Sequence, residues 1–362
     1  MIRGVTGGPP PALLPTLLVA AVMSAPSAAA DQQALTTAER NVAVMGTTLN
    51  VAVRAADRES ALAVSEVAIA EVRRVENLLT TWRDDSPLAL LNAAPAGKEV
   101  ALDPELAAVL KDVFTWAATT GRAFDPTVLP LIRAWDLRGK GRIPSGEELA
   151  AALAATGPDR FRFDPARTTA TRLVPPAGID DGAWGKGYAL DRAADRLLSA
   201  GVKDLLIDLG GQVVARGMDT GGQAWTVAIA HPSHRHQPVV VLALPNVSAS
   251  TSGNSERSRE VAHRRIGHLL DPRTGHPASD FGSATVVAPS ALVADVLSTA
   301  FFVLGPDQGL ALSARLRTQG TPNEVLFLVE HGGVLTAVAS EGLIKLVLSA
   351  DASVRGLRTK RP

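Results

Sequence analysis

The stretch from Ser290 to Gly305, Ser-Ala-Leu-Val-Ala-Asp-Val-Leu-Ser-Thr-Ala-Phe-Phe-Val-Leu-Gly, restricts the fold more than any other part of the chain. Ser290 follows Pro289 as an N-cap and Gly305 supplies a stop, so the stretch predicts a helix. Between those ends nearly every side chain is apolar whichever way it faces, which describes a helix inside a core. Asp295, Ser298 and Thr299 are the exceptions, and their spacing gathers them on one face, a turn apart. A buried carboxylate must be protonated, paired or metal-bound, and the helix contains no Lys or Arg. A carboxylate with a hydroxyl one turn later suits a hard, oxygen-seeking cation such as Mg²⁺. The alternative is an Asp bonded to a distant backbone amide or arginine, with hydroxyls bonded back to their own helix. Taken alone, the helix leaves both readings open.

The chain has 362 residues, with 36 basic and 36 acidic side chains and a formal net charge of zero. That balance argues against a generic nucleic-acid binder. The apolar share of 46%, with one Tyr and eight Phe, indicates an aliphatic core, and the length allows one large domain or two modest ones. Residues 1–30 read as a cleavable signal peptide. Arg3 gives a positive start, Leu13 to Met23 a short apolar run, and Ala28-Ala29-Ala30 a cleavage site. The expected location is periplasmic or otherwise extracytoplasmic, an uncleaved anchor being the alternative. There is no Cys, so neither a lipid-anchored cysteine nor a disulfide is available. Residues 31–354 form the expected domain and residues 355–362 a loose basic tail.

Asn41 to Val53 alternates as one strand interrupted by Met45-Gly46-Thr47. Arg58 to Leu79 reads as a long amphipathic helix capped by Asp57, Thr80 to Asn92 as turns, and Asp103 to Gly121 as a second helix opening on Pro104. A short helix follows at Leu129 to Trp135, a capping box at Ser145 and Glu148, and a ragged strand or strand pair at Phe161 to Val174. In Gly178 to Ser199 a glycine-rich turn opens a helix beside Lys186, an arrangement suited to phosphate. It is not a Walker loop, and a plain strand-to-helix turn explains the glycines equally. Strands then dominate, at Leu205–Leu209, Gln212–Arg216, Ala224–Ala230, Val239–Leu244, Ala284–Ala288, Glu324–Val329 and Leu335–Val338. Ser248 to Ser258 reads as a Ser-rich loop and Asp307 to Arg317 as a helix. The proportions predict an α+β fold, with helices mainly in the first half and a mostly antiparallel sheet in the second.

The matching order of short segments gives the chain a resemblance to a known family. These are Met45-Gly46-Thr47, Ala123-Phe124-Asp125-Pro126, Asp180-x-Gly-Ala-x-x-Lys186-Gly-Tyr-Ala-x-Asp191, His268-x-x-Asp271-Pro272-x-Thr274-Gly275-x-Pro277 and Ala294-Asp295-x-x-x-Thr299-Ala300. In sequence and order they resemble the ApbE family, the FAD:protein FMN transferases, over about 260 residues. The resemblance implies two α+β lobes with FAD in the cleft between them and Mg²⁺ on its pyrophosphate. It implies flavin contacts from Met45, Trp82, Ala123, Phe124, Asp125, Asp180, Lys186 and Leu270. For the metal it implies the carbonyl of Ala183 and the side chains of Asp295 and Thr299. Unlike many relatives the chain has no lipoprotein cysteine. Ser298 stands where some have a second carboxylate, and Trp82 where Tyr is frequent.

The implied reaction splits FAD at its pyrophosphate, passes FMN to a Thr or Ser hydroxyl of a flavoprotein subunit and releases AMP. His268 is a candidate general base, since imidazole titrates near neutrality, although a structural histidine fits as well. Hydrolysis of FAD to FMN and AMP, and flavin binding without chemistry, are the alternatives. The segment Asp280 to Thr285 is similar to an acceptor-type sequence, but it reads better as a turn into a buried strand. Oligomeric state leaves no signature.

Overall fold

The computed structural model describes residues 35–254, 258–261 and 264–357. The signal-like segment 1–30 and the tail residues 358–362 lie outside them. Strands β1 (Thr36–Val44) and β2 (Thr47–Ala55) form a hairpin, not one interrupted strand. Met45 and Gly46 take positive φ, 50° and 68°, and so make the tight mirror-image turn that reverses the chain. Helix α1 (Arg58–Leu79) starts on Asp57, whose carboxylate accepts the Ser60 amide at 2.7 Å. Part of the segment expected as turns is helix α2 (Pro87–Ala93). Ser86 caps it and Pro87 fills its first position, a Ser-Pro start that fits helix better than turn.

After β3 (Glu99–Ala101), α3 (Pro104–Thr119) is capped by Asp103. Helix α4 (Leu129–Ala134) and helix α5 (Gly146–Ala154), with its Ser145–Glu148 capping box, follow as expected. Strands β4 (Phe161–Asp164) and β5 (Thr169–Arg172) pair, and β3 joins them in a three-stranded sheet. Helix α6 (Gly185–Ser199) then leads to β6 (Leu205–Leu209), β7 (Gln212–Arg216), β8 (Trp225–Ala230) and β9 (Pro238–Leu244).

The Ser-rich segment expected as a loop is largely strand β10 (Ser248–Gly253), inside the main sheet between β7 and β13. Two of its inward serines find hydroxyl partners instead of apolar ones: Ser250 and Ser252 lie 3.1 and 2.9 Å from the Ser298 hydroxyl. The short pair β11 (Arg259–Val261) and β12 (Arg264–Ile266) precedes β13 (Gly282–Ala288). Thr285 in β13 is wholly buried, its hydroxyl 2.8 Å from that of Thr251, so the acceptor-like segment runs from an exposed Asp280 into a core strand. Helix α7 (Ala291–Thr318) is broken at Gly305 (φ 75°, ψ 173°), where the sequence places its stop. Its second half is the helix expected from Asp307. The remaining elements are β14 (Glu324–His331), β15 (Val334–Ala339), α8 (Glu341–Ile344), β16 (Val347–Ala350) and β17 (Val354–Arg355). Arg355, expected at the head of a loose tail, pairs with Thr336 of β15 because Val354 beside it is buried in the core.

Among the described residues the main sheet has nine strands in the order β1-β2-β6-β7-β10-β13-β14-β15-β17. Every pairing in it is antiparallel except β15 with β17. Alternation along the strands gives the sheet two apolar faces. Leu205, Ile207 and Leu209 face α1, α6 and α7, whereas Leu206 and Val213 face the second sheet, β16-β9-β8. A third, smaller core joins α4 and α5 to Ile266 and Leu270. This is the α+β fold with a mostly antiparallel sheet that the sequence predicts. The first half of α7, from Ala291 to Gly305, is apolar all round and packs between α6 and the main sheet, and its one carboxylate, Asp295, is thereby carried into the interior.

Candidate active site

Asp295 is 3% exposed, and one of its oxygens accepts the backbone amide of Gly187 at 3.0 Å. Burial pushes its carboxyl above the ordinary carboxylate range, while the charge of Lys186 opposes that shift. The bland alternative is thus realised in part: a distant amide does bind this Asp, and Ser298 bonds back to the Asp295 carbonyl at 2.9 Å. Thr299 behaves differently. Its hydroxyl lies 3.4 Å from that of Ser252 on β10, a long contact that leaves it available to a ligand. Ala183 stands in the turn entering α6, four residues ahead of Gly187. The amides of Gly185 and Gly187 in the first turn of α6 are taken by the Asp181 carbonyl, at 2.7 Å, and by Asp295. What remains there for an anion is the ammonium of Lys186 and the positive end of the helix.

A second cluster adjoins this turn. Arg138 donates to Asp180, to the Thr81 hydroxyl and, at 2.7 Å, to the Thr81 carbonyl. Its guanidinium also lies over the Trp82 ring, 4.9 Å from the centroid. Trp82 is 69% exposed, an unusual state for an indole and one that offers a flat apolar surface. Asp180 also accepts the Gly182 amide at 2.9 Å, and its own amide bonds the Pro126 carbonyl at 2.8 Å, which ties in the Asp125 loop. Asp125 is buried, held by Arg122 Nε and the Thr127 amide, each at 2.9 Å. Ala123 and Phe124 pack into the main core with essentially no exposed surface. Met45 sits at the hairpin turn, its amide on Glu76 of α1 at 2.8 Å. Leu270 belongs to the third core, and His268, two residues earlier, is partly buried.

The structure therefore gathers Trp82, Asp125, Asp180, Ala183, Lys186, Asp295 and Thr299 around the turn between Asp180 and α6. Met45, His268 and Leu270 lie on other elements, the first at the β1–β2 turn and the other two in the segment before β13. Arg138, Thr81, Asp181, Asp191 and Gln212 join the site without having been singled out. Asp191 ends the motif that begins at Asp180, and its residue type alone does not tell its role. Arg138 and Gln212 carry no local signal, since only the tertiary fold brings them here.

Asp181 accepts the Thr81 hydroxyl at 3.2 Å, and burial, followed by the charge of Asp180, pushes its carboxyl up to about 7. The unfolded value is about 4, so the folded state holds this proton more firmly. Stability contributed by the group is present at low pH and lost as pH rises from about 4 to about 7. Asp181→Asn, which keeps an acceptor for Thr81, is expected to flatten that decline. Urea unfolding checks it: relative to the wild type, the variant should be more stable at pH 8 than at pH 5.

The donor set of the Asp295 cluster fits a hard cation. It is made of oxygens, one of them a buried carboxylate. Among the described residues no group of three or more carboxylates, imidazoles or thiols forms a ready metal cluster. A cation would therefore rest on Asp295, neutral oxygens and a phosphorylated ligand, which is how Mg²⁺ is commonly held.

This sheet-and-helix arrangement is that of the flavin transferases of the ApbE type. The crystal structure of the ApbE protein of Thermotoga maritima superposes with a TM-score of 0.78 at 28% identity, covering 86% of this chain and 99% of that one. The apo flavinyl transferase ApbE of Pseudomonas stutzeri gives 0.76 at 29% identity, over 88% and 98%. The model of the ApbE family matches residues 45–321, and the chain belongs to that family. A relative in Klebsiella pneumoniae (strain 342), named FAD:protein FMN transferase, is 31% identical over 295 residues, 80% of this chain and 83% of its own. Another of that name, in Treponema pallidum (strain Nichols), is 32% identical over 260 residues, 67% and 71% of the two chains.

Proposed function

We propose that this protein is an FAD:protein FMN transferase that acts outside the cytoplasm, with Mg²⁺, on a Thr or Ser hydroxyl of an acceptor flavoprotein. It is a transferase, as its relatives are named. The observation that carries the site is the buried Asp295 of α7, bonded to the first turn of α6 beside Lys186, inside the family match. In the reaction the acceptor oxygen bonds to the FMN-side phosphorus, the bond from that phosphorus to the bridging oxygen breaks, and AMP departs with the bridging oxygen. The hydroxyl proton passes to a base, for which His268 is the candidate.

Asp295, Thr299 and the Ala183 carbonyl would hold the metal, which when bound supplies charge neutralisation on the pyrophosphate. Lys186 places a further positive charge beside the phosphates. Trp82, stiffened by Arg138, gives the isoalloxazine ring a surface to stack on. Asp180 and Asp125 hold the two loops that shape the cleft wall.

Incubating the protein with FAD, Mg²⁺ and a Thr-bearing acceptor peptide should produce a covalent FMN adduct by mass spectrometry. Release of free FMN and AMP without an adduct would make it a hydrolase instead. Lys186→Ala is expected to weaken FAD binding roughly 10- to 100-fold, since a hydrogen bond to a charged group contributes about 1.5–3 kcal/mol. Fluorescence titration with FAD measures it, and an unchanged dissociation constant would make Lys186 a structural residue.

A further inference from the structure

Helices α6 and α7 meet by exchanging carboxylates. Asp295, in the second turn of α7, accepts the amide of Gly187 in the first turn of α6. Asp191, in the second turn of α6, accepts the amides of Ala291 and Leu292 at the start of α7, at 2.7 and 2.9 Å, and the Ser290 hydroxyl at 2.6 Å. Helix α6 has no side-chain cap of its own, because Trp184 occupies the N-cap position. Each carboxylate thus satisfies amides that the other helix leaves unpaired. Gln212 of β7 fastens the junction by donating to the Ala291 carbonyl at 2.8 Å.

We propose that this exchange holds the Asp295 carboxylate in place for its ligand, with Asp191 and Gln212 as positioning residues acting through the first turn of α7. The proposal rests on the reading of Asp295 as a metal-site carboxylate. Ala291 lies one helical turn before Asp295, so fixing its amide and its carbonyl fixes the height and rotation of the turn that carries Asp295. Formation of α7 itself does not depend on Asp191, since Ser290 caps the Val293 amide at 3.2 Å and the first half of the helix is buried in the core. Removing Asp191 therefore frees the position of the helix end more than it unfolds the helix.

The test compares Asp191→Ala, Asp191→Asn and, as a control, Asp103→Ala. Asp103 caps α3 by a similar hydrogen bond, at 2.8 Å to the Glu105 amide, but plays no part in the cluster. Two quantities are read: Mn²⁺ affinity of the FAD-loaded protein by electron paramagnetic resonance, and hydrogen exchange at the Gly187 amide without metal. Asp191→Ala should weaken Mn²⁺ binding about 10- to 100-fold, as loss of a partner behind a metal ligand commonly does, and should speed exchange at Gly187. Asp191→Asn should recover part of both. Asp103→Ala should lower the melting temperature yet leave both unchanged. Unaltered Gly187 exchange in Asp191→Ala, or an equal Mn²⁺ loss in Asp103→Ala, would overturn the positioning role. Failure of the wild type to bind Mn²⁺ would instead defeat the metal reading, while Gly187 exchange would still decide the positioning.

Discussion

Asp295→Ala is expected to lower FMN transfer at saturating FAD by on the order of 100-fold or more, in a protein that still folds. The reasoning compares two effects. A metal at the transferring phosphoryl group supplies several kcal/mol of transition-state stabilisation, and each 1.36 kcal/mol is tenfold in rate. Against folding, the substitution leaves the Gly187 amide unpaired, a cost of about 1–3 kcal/mol, but it also removes a carboxyl whose ionisation burial disfavours. Asp295→Asn separates the two. It retains an acceptor for Gly187 and sheds the charge, so its melting temperature should stay near that of the wild type while transfer falls as far as in the alanine variant. Steady-state rates with a Thr-bearing acceptor, read beside thermal melts, check both. An asparagine variant with full activity would show that no cation depends on this carboxylate.

Gly187→Ala should produce the largest stability loss of any single-methyl addition at the site. A Cβ there would lie 2.4 Å from the Ala291 carbonyl oxygen and 2.7 Å from Gln212 Nε2. The first of these is backbone in the opening turn of a buried helix and cannot move aside alone. Overpacking of this kind costs about 1–3 kcal/mol, and pushing the helices apart also stretches the bond from the Gly187 amide to Asp295. Gly146 is the contrast: it is helical, and a Cβ built on it meets nothing within 4 Å. Gly146→Ala should be neutral or stabilising by about 0.4–1 kcal/mol. Chemical denaturation of both variants measures the difference. Equal stabilities would mean that the α6–α7 contact is looser than its geometry.

Much of this was legible in the sequence where the signal is local. Asp57, Asp103 and Ser145 each mark the helix start they cap in the structure, because capping is a matter of a few consecutive residues. The all-round apolar character of Ser290 to Gly305 sufficed to bury Asp295. Where the outcome depends on a distant partner, the sequence misled. β10 looks like a loop because of its serines, yet Ser298 across the sheet–helix boundary meets the hydroxyls of Ser250 and Ser252. Met45-Gly46 looked like an interruption because its positive φ angles are invisible in a hydropathy pattern. The site shows the same division. Asp295, Thr299 and Lys186 announce themselves by unusual residue types in unusual settings. Arg138 and Gln212 reach the cluster from remote parts of the chain, 42 residues from Asp180 and 79 from Ala291.

The most direct test is anomalous diffraction from crystals soaked with Mn²⁺ and FAD. An anomalous peak in contact with the side-chain oxygens of Asp295 and Thr299, with the pyrophosphate beside it, is the expected result. Clear density for bound FAD with no metal at that position, or with the metal bound elsewhere, would contradict it.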